Sequence, residues 1–529
     1  MSQIHLTTKF RLLSLLSLLS GVLVFLSFEK FNLPVLAFLF PIIFNWLSMR
    51  PLKLKRAFFL GFLTSFTVML GGFYWVTYVI HEFGYLPWSL SSLIFLVFAG
   101  FGALNFPIFL SIMSFLNQKL DSSNRGKWFW VLWFTLFTPA VFAVVEFFFP
   151  KIFPWYLGHC LYRWTFVTQI VEITGSLFLS FLIYSLGSAL GLIFFCPVPL
   201  KKSPWEALII PCFLLSLALG FSQYRLSHPP ETNKTLKVAV IQANIGSLEK
   251  IHSENGIQDI VDQVIKKYIE LTETALKSNP DLIVWPETAM PYSLGHTPSR
   301  DQFLMSKIKH WQRPLITGGY TKSDRNYFKD YNGAFLIEPL KNGEIRVQSY
   351  MKNILLAFGE YFPMGDFFPV LYKYFPQVAD FERGDSQKPV TLEDGTTLGI
   401  TICYEAIVPS FYRKVANHSI QGMINLTNDS WFGPTSEPYL HGSLTVFRSL
   451  ETKLPMVRAT NTGLSFSVDS LGRQSSTTQV YSPQIFLTEL KIPISPPQTI
   501  YLQYGDWFVL LLILIQTLFA IYFKRFKVN

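Results

Sequence analysis

The sequence predicts two structural classes in one chain, an α-helical membrane part of about eight transmembrane helices and a layered α/β domain. Three observations lead there. Hydrophobic residues make up 50% of the 529 residues and charged residues only 15%, whereas a soluble chain carries about a quarter charged. Apolar runs long enough to cross a bilayer crowd the first 225 residues and return after residue 500. Between them lies a polar stretch in which short apolar runs alternate with charged ones.

The membrane part comes first. A span needs about 17–25 apolar residues, and such runs occur at roughly 11–28, 32–49, 57–80, 88–114, 128–149, 168–196, 205–222 and 506–523. Pro34 and Pro41 predict a kink in the second. The charge-free run 83–118 has room for a longer, tilted helix. Short-loop cations set orientation. One side holds Lys9, Arg11, Arg50, Lys53, Lys55, Arg56, Lys119, Arg125, Lys127, Lys201, Lys202, Lys524, Arg525 and Lys527. The other holds Lys30, Lys151, Arg163 and Arg225. Both termini are therefore expected in the cytoplasm of a bacterial inner (cell) membrane, with the polar stretch periplasmic. The expected division is 1–225, seven helices; 230–500, the polar domain; and 501–529, the eighth helix and a short tail.

The polar stretch reads as layered α/β. Apolar runs that suit strands fall at Lys237–Ile245, Asp281–Trp285, Pro314–Tyr320, Ala334–Leu340, Ile345–Met351, Leu398–Cys403, Met423–Leu426, Pro455–Thr460 and Leu464–Asp469. In Ile257–Leu276, residues Ile257, Ile260, Val261, Val264, Ile265, Tyr268 and Leu271 recur at helical spacing. Residues 223–235, with a Pro-Pro pair, read as a linker.

The net charge of +10 resides in short loops between apolar runs, which excludes the continuous basic face that nucleic acid requires. Of the four cysteines, Cys160, Cys196 and Cys212 lie in or beside apolar segments, and Cys403 stands alone in the polar half. No Cys/His spacing suggests a metal.

Three strand ends carry chemistry. Asp281-Leu-Ile-Val-Trp-Pro-Glu287 delivers a carboxylate, Tyr350-Met-Lys352 delivers an amine, and Leu398-Gly-Ile-Thr-Ile-Cys403 delivers a thiol. Singly, each reads as core or surface; together they form a reactive set. A thiol attacks a carbonyl as thiolate and needs a neighbouring base or cation. Glu287 can take the proton, Lys352 can stabilise the developing charge, and Glu360 can hold the lysine charged.

These residues resemble the nitrilase superfamily, whose catalytic set runs Glu, Lys, Cys in chain order. With the flanking spans, the chain resembles the apolipoprotein N-acyltransferase family within it. The resemblance rests on Trp285-Pro-Glu287-Thr-Ala289, on Lys352 with Phe358-Gly-Glu360-Tyr361, and on Ile402-Cys403-Tyr404-Glu405. Asn428-Asp-Ser-Trp-Phe-Gly433 and Arg458-Ala-Thr-Asn-Thr-Gly463 extend it, as does Glu146 followed by Phe153-Pro-Trp155. It departs at Ala357, where relatives often have Pro, and at Ile245–Lys250, which lacks their Trp.

The resemblance implies a nitrilase-like αββα domain with Cys403 as nucleophile, Glu287 as general base, Lys352 as electrostatic partner and Glu360 as a supporting carboxylate. Tyr404, Glu405 and Trp431 would contact substrate. The implied reaction is N-acylation of the diacylglyceryl-cysteine of lipoproteins. The donor would be a membrane phospholipid, typically phosphatidylethanolamine, acting through a Cys403 thioester without cofactor or metal. A membrane-tethered amidase that hydrolyses its acyl-enzyme shares the residues and differs in acceptor. A transporter with a degenerate outer domain would form no thioester and would need charges within its spans.

Other residues admit two readings. Trp431 and Phe432 suit an acyl pocket or packing, and His441 suits a second base or a core histidine. Arg448 and Arg458 read as ion-pair partners. Glu146 reads as functional or as a partner of Arg163. The aromatic segment Tyr361–Phe381 reads as a lipid-facing lid or as core.

Overall fold

The structure, a computed structural model, describes residues 2–120, 126–194, 204–246, 258–375 and 378–525. It falls into two compact units. One comprises residues 1–80, 87–228 and 503–529, and the other residues 81–86 and 229–502.

The first unit is helical. Among the described residues five helices are long and apolar enough to cross a membrane: Leu54–Gly72, Trp88–Lys119, Lys127–Phe148, Leu177–Phe194 and Pro204–Ser227. Shorter apolar helices occupy Phe10–Leu26, Pro34–Ser48 and Trp507–Tyr522. The second predicted span is indeed interrupted. A 3-10 turn at Pro34–Phe38 precedes the helix Phe40–Ser48, and each has a proline in its first turn, where the missing N–H costs nothing. Within the run 83–118 the span Trp88–Lys119 is interrupted at residues 103–104, between Trp88–Gly102 and Asn105–Lys119. The sixth span starts later than predicted, at Leu177. Residues Thr165–Thr168 and Val171–Thr174 form separate short turns, and Gly175, at φ +75°, ends the second. Of the cations used for orientation, Lys9, Arg125, Lys201, Lys202, Lys524, Arg525 and Lys527 lie outside the described side chains.

The second unit is built on two sheets. Its strands are β1 Thr232–Gln242, β2 Leu282–Val284, β3 Met290–Ser293, β4 Leu315–Lys322, β5 Asp330–Pro339, β6 Ile345–Met351, β7 Val390–Thr391, β8 Thr397–Ile402, β9 Gly422–Thr427, β10 Met456–Thr460, β11 Phe466–Val468 and β12 Gln484–Pro493. The first sheet runs β12-β1-β2-β4-β5-β6, with β3 on β4; the second runs β11-β10-β9-β8-β7. All nine predicted strands are present, and β3, β7 and β12 are additional. The predicted linker shrinks to residues 228–231. The helix persists to Ser227, and β1 starts at Thr232 because β12 pairs with it antiparallel, from Thr232↔Pro493 to Gln242↔Gln484.

The helix Gln258–Ala275 buries Val261, Val264, Ile265, Tyr268 and Thr272, one face at helical spacing. Ile257 and residues 247–250 lie outside the described residues. This face and the helix Pro298–Trp311 pack on the first sheet through Ala239, Ile241, Ile283, Leu304, Ile308 and Leu315. Each fully buried aliphatic side chain there stabilises the fold by about 1.5–3 kcal/mol. The helices Pro409–Ala416 and Glu437–Thr452 cover the second sheet. The sheets are joined by buried Gln242 of β1. Its Oε1 accepts from the Thr460, Ser465 and Thr478 hydroxyls at 3.2, 2.8 and 2.8 Å.

Candidate active site

Each strand end reaches the site by a local conformation. Glu287 follows β2, and the next residue, Thr288, takes φ +53°. The turn lies so close to β4 that a Cβ on Gly318 would sit 2.6 Å from the Glu287 Cα, so only glycine fits there. Lys352 follows β6 and is fixed on both sides: its N–H donates to the Asn332 carbonyl at 2.9 Å, and its carbonyl accepts from the Gly384 N–H at 2.8 Å. Cys403 opens a 3-10 turn directly after β8, with φ +51°. A non-glycine residue in the left-handed region costs about 1–3 kcal/mol and persists where its surroundings enforce it. Here that strain turns the thiol out of the strand.

The structure brings Glu287, Lys352 and Glu360 into hydrogen-bond contact. Lys352 Nζ lies 3.1 Å from Glu287 Oε1 and 2.7 Å from Glu360 Oε1, with the lysine side chain 1% exposed. Burial alone would depress the Lys352 pKa, but Glu287 and then Glu360 outweigh it and raise it above the ordinary lysine value. The Cys403 thiol is pushed well above its ordinary value, by burial first and by Glu287 next, with Lys352 opposing. The resting pair is thus a neutral thiol beside a fixed ammonium.

Asn332, which sequence reasoning missed, and Asn428, which it named only as part of a motif, complete the set. Asn332 Nδ2 donates to Oε1 of Glu287 and to Oε1 of Glu360, both at 2.8 Å. The Asn428 N–H donates to Glu287 Oε2 at 2.8 Å. Glu360 Oε2 accepts from the Leu356 N–H at 2.8 Å. Asn332-Gly333 in the sequence carries only a turn signal, whereas in the fold the pair is interior to β5.

Of the three residues expected to contact substrate, Glu405 is the one whose carboxylate is taken up by protein donors. Glu405 is fully buried, and burial pushes its carboxyl up to about 7 against the pull of bound amides, Lys352 and Tyr350. Its oxygens face protein donors: the Ile402, Asn353 and Ile354 amides and the Tyr350 hydroxyl. Trp431 is half-buried, with the Phe83 ring at 4.3 Å. Phe83 belongs to the segment 81–86, in which His81 Nδ1 donates to the Leu86 carbonyl at 2.7 Å. Tyr404 is half-buried, its phenol raised to about 12 by burial first and Tyr361 next.

His441 is committed to Asp429, with Nδ1 to Oδ1 at 3.1 Å. Asp429 also pairs with Arg458 at 3.1 Å, and Arg448 pairs with Glu451 at 3.0 Å. In the helical unit Glu146 Oε1 accepts from the Leu157 N–H at 2.6 Å, while Arg163 pairs with Glu29 at 3.3 Å. The Glu146–Arg163 pairing therefore gives way to a loop-capping carboxylate.

Comparison with known proteins follows the same division. Residues 20–189 match the family described as apolipoprotein N-acyltransferase N-terminal domain, and residues 237–491 match carbon-nitrogen hydrolase. A protein named apolipoprotein N-acyltransferase from Bdellovibrio bacteriovorus is 34% identical over 522 residues, covering 94% of this chain and 92% of its own. One of the same name from Geobacter metallireducens is 32% identical over 517 residues, covering 93% and 92%. Apolipoprotein N-acyltransferase 2 of Leptospira interrogans is 28% identical over 592 residues, covering 93% of each.

Proposed function

Because the chain belongs to the apolipoprotein N-acyltransferase family and is an acyltransferase of lipoprotein maturation, we propose that its acyl group passes through a thioester on Cys403. The observation that carries this reading is the buried contact of Lys352 with both Glu287 and Glu360 beside a neutral Cys403 thiol.

In the first half-reaction Glu287 takes the Cys403 proton as sulfur attacks the ester carbonyl of a membrane phospholipid, phosphatidylethanolamine in the simplest case. Lys352 faces the negative charge that develops on the carbonyl oxygen, and the Tyr404 N–H adds a second donor. The intermediate collapses and the C–O bond breaks. Glu287 returns the proton to the departing lysophospholipid. In the second half-reaction the amine of a diacylglyceryl-cysteine attacks the thioester and gives its proton to Glu287, the C–S bond breaks, and Glu287 passes that proton to the departing sulfur, restoring the Cys403 thiol. An enzyme-held thioester is already activated, so this route calls for no metal or organic cofactor.

The membrane setting follows from the substrates, which are both lipid-anchored. We place the enzyme in the inner membrane with eight spans, periplasmic catalytic domain 230–500 and cytoplasmic termini, in line with the cation bias. Tyr404 and Trp431 serve as acyl contacts. Tyr361–Phe381 serves as a lipid-facing lid: Phe367 is 82% and Tyr374 73% exposed, and Lys329 ties the segment down through Asp380 at 2.7 Å. The test is mass spectrometry of the purified enzyme after incubation with phospholipid. An acyl adduct on Cys403, discharged by a lipopeptide amine, is expected; transfer surviving in Cys403→Ala overturns the mechanism.

A further inference from the structure

Glu405 has no part in the proton transfers above, yet it is fully buried two residues beyond the thiol. Its Oε2 accepts from the Ile402 N–H at 2.8 Å and from the Tyr350 hydroxyl at 2.7 Å. Its Oε1 accepts from the Asn353 N–H at 2.5 Å and the Ile354 N–H at 3.0 Å. Ile402 immediately precedes Cys403, and Tyr350, Asn353 and Ile354 bracket Lys352. The strands concerned, β8 and β6, belong to different sheets. No ladder of backbone bonds fixes the spacing of nucleophile and amine.

We propose that Glu405 is a positioning residue that sets the separation of the Cys403 thiol and the Lys352 ammonium by tying the turn of one to the loop of the other. The inference rests on the Cys403–Lys352 reading above and gives Glu405 a role other than substrate contact. Four donors on two oxygens demand the carboxylate form, because a carboxylic acid would turn a hydrogen toward one of its own donors. A charge-assisted hydrogen bond is roughly twice as strong as a neutral one, so protonation loosens the tie as well as crowding it.

The tie therefore titrates. Burial raises the Glu405 carboxyl to about 7, with the Ile402 and Ile354 amides, Lys352 and Tyr350 holding it from rising further. On the helix Glu437–Thr452, which packs against the Cys403 turn, His441 and Glu437 lie 3.5 Å from each other. His441 is already engaged by Asp429.

The experiment measures kcat and KM for phospholipid from pH 5 to 9 in detergent-purified full-length enzyme, with Cys403 acylation followed by mass. Tyr350→Phe removes one donor from Glu405 and touches neither Glu287 nor Glu360. The acid limb of kcat is expected to move up by about 0.5–1 pH unit, with KM changed less than about twofold. Glu405→Gln is expected to lower acylation at least about a hundredfold at every pH, because its amide meets a backbone donor. If Tyr350→Phe keeps the wild-type acid limb while the wild-type enzyme still acquires its Cys403 adduct, Glu405 is not the positioning group and the thioester reading stands. If wild-type enzyme acquires no adduct, that reading fails and the inference falls with it.

Discussion

The Asn332 side-chain amide donates from one nitrogen to the carboxylates of both Glu287 and Glu360, 2.8 Å to each, and so spans the two acids that hold Lys352. Two carboxylates sharing an ammonium repel each other, and a bridging donor offsets part of that repulsion. Removing it in Asn332→Ala should cost about 1.5–3 kcal/mol of ordering in the set. Cys403 acylation is then expected to slow about tenfold to a hundredfold. Single-turnover acylation followed by mass spectrometry gives the value, and an unaltered rate would show that Lys352 alone orders the acids.

Glu287→Gln preserves side-chain volume and removes the proton acceptor. Acylation should fall about 10²–10⁴-fold, while the protein still purifies as a folded membrane enzyme. Cys403→Ala and Cys403→Ser should abolish transfer without loss of membrane insertion, since the strained turn is held by its surroundings. Membrane fractionation together with transfer to a fluorescent lipopeptide checks all three.

Lys352→Met strands two buried carboxylates. Breaking a buried pair by removing one partner costs about 3–5 kcal/mol, so a marked drop in thermal midpoint is expected with total loss of transfer. Adding Glu360→Gln to Lys352→Met should recover part of the midpoint and none of the activity. An unchanged midpoint in the single variant would contradict the buried geometry.

The pH dependence of stability has a defined sign. Lys352 and the Cys403 thiol both have folded pKa values above their unfolded ones. The native state then binds more protons than the unfolded state once pH passes the unfolded values, about 8.5 for Cys and 10.4 for Lys. Stability from these groups is complete below those values and lost as pH rises toward the folded ones, with a slope of up to about 1.4 kcal/mol per pH unit for each group. Thermal midpoints from pH 7 to 11 should fall from about pH 8.5, and Cys403→Ala should delay the onset.

Much of this was legible because the signals are local. A carboxylate after Trp285-Pro286, a lysine past a strand and a thiol ending an apolar strand can be read from neighbouring residues. Nine strands followed from short apolar runs. What was not legible depends on pairing or on backbone conformation. β12 alternates polar and apolar weakly and shows itself only as the partner of β1. Asn332 reads as a turn residue until β5 places it across from the acids. Gly175 looks like any helix glycine until its positive φ ends the turn and delays the sixth span. The resemblance makes Glu405 a substrate contact, and the sequence says nothing about which donors surround its oxygens. The segment 81–86 reads as a loop between apolar runs, and only its fold neighbours, Phe83 against Trp431 among them, attach it to the catalytic unit.

The antiparallel pairing of β1 with β12 carries a consequence for ancestry. Near the two ends of the segment 229–502, the first residue of β1 and the last of β12 are register partners, Thr232 and Pro493, at the spacing of adjacent strands, about 4.8 Å. A domain whose two ends meet in this way is a cassette. It can be spliced into one interhelical connection of a host protein without stretching the host, and removed again leaving a gap that a few residues bridge.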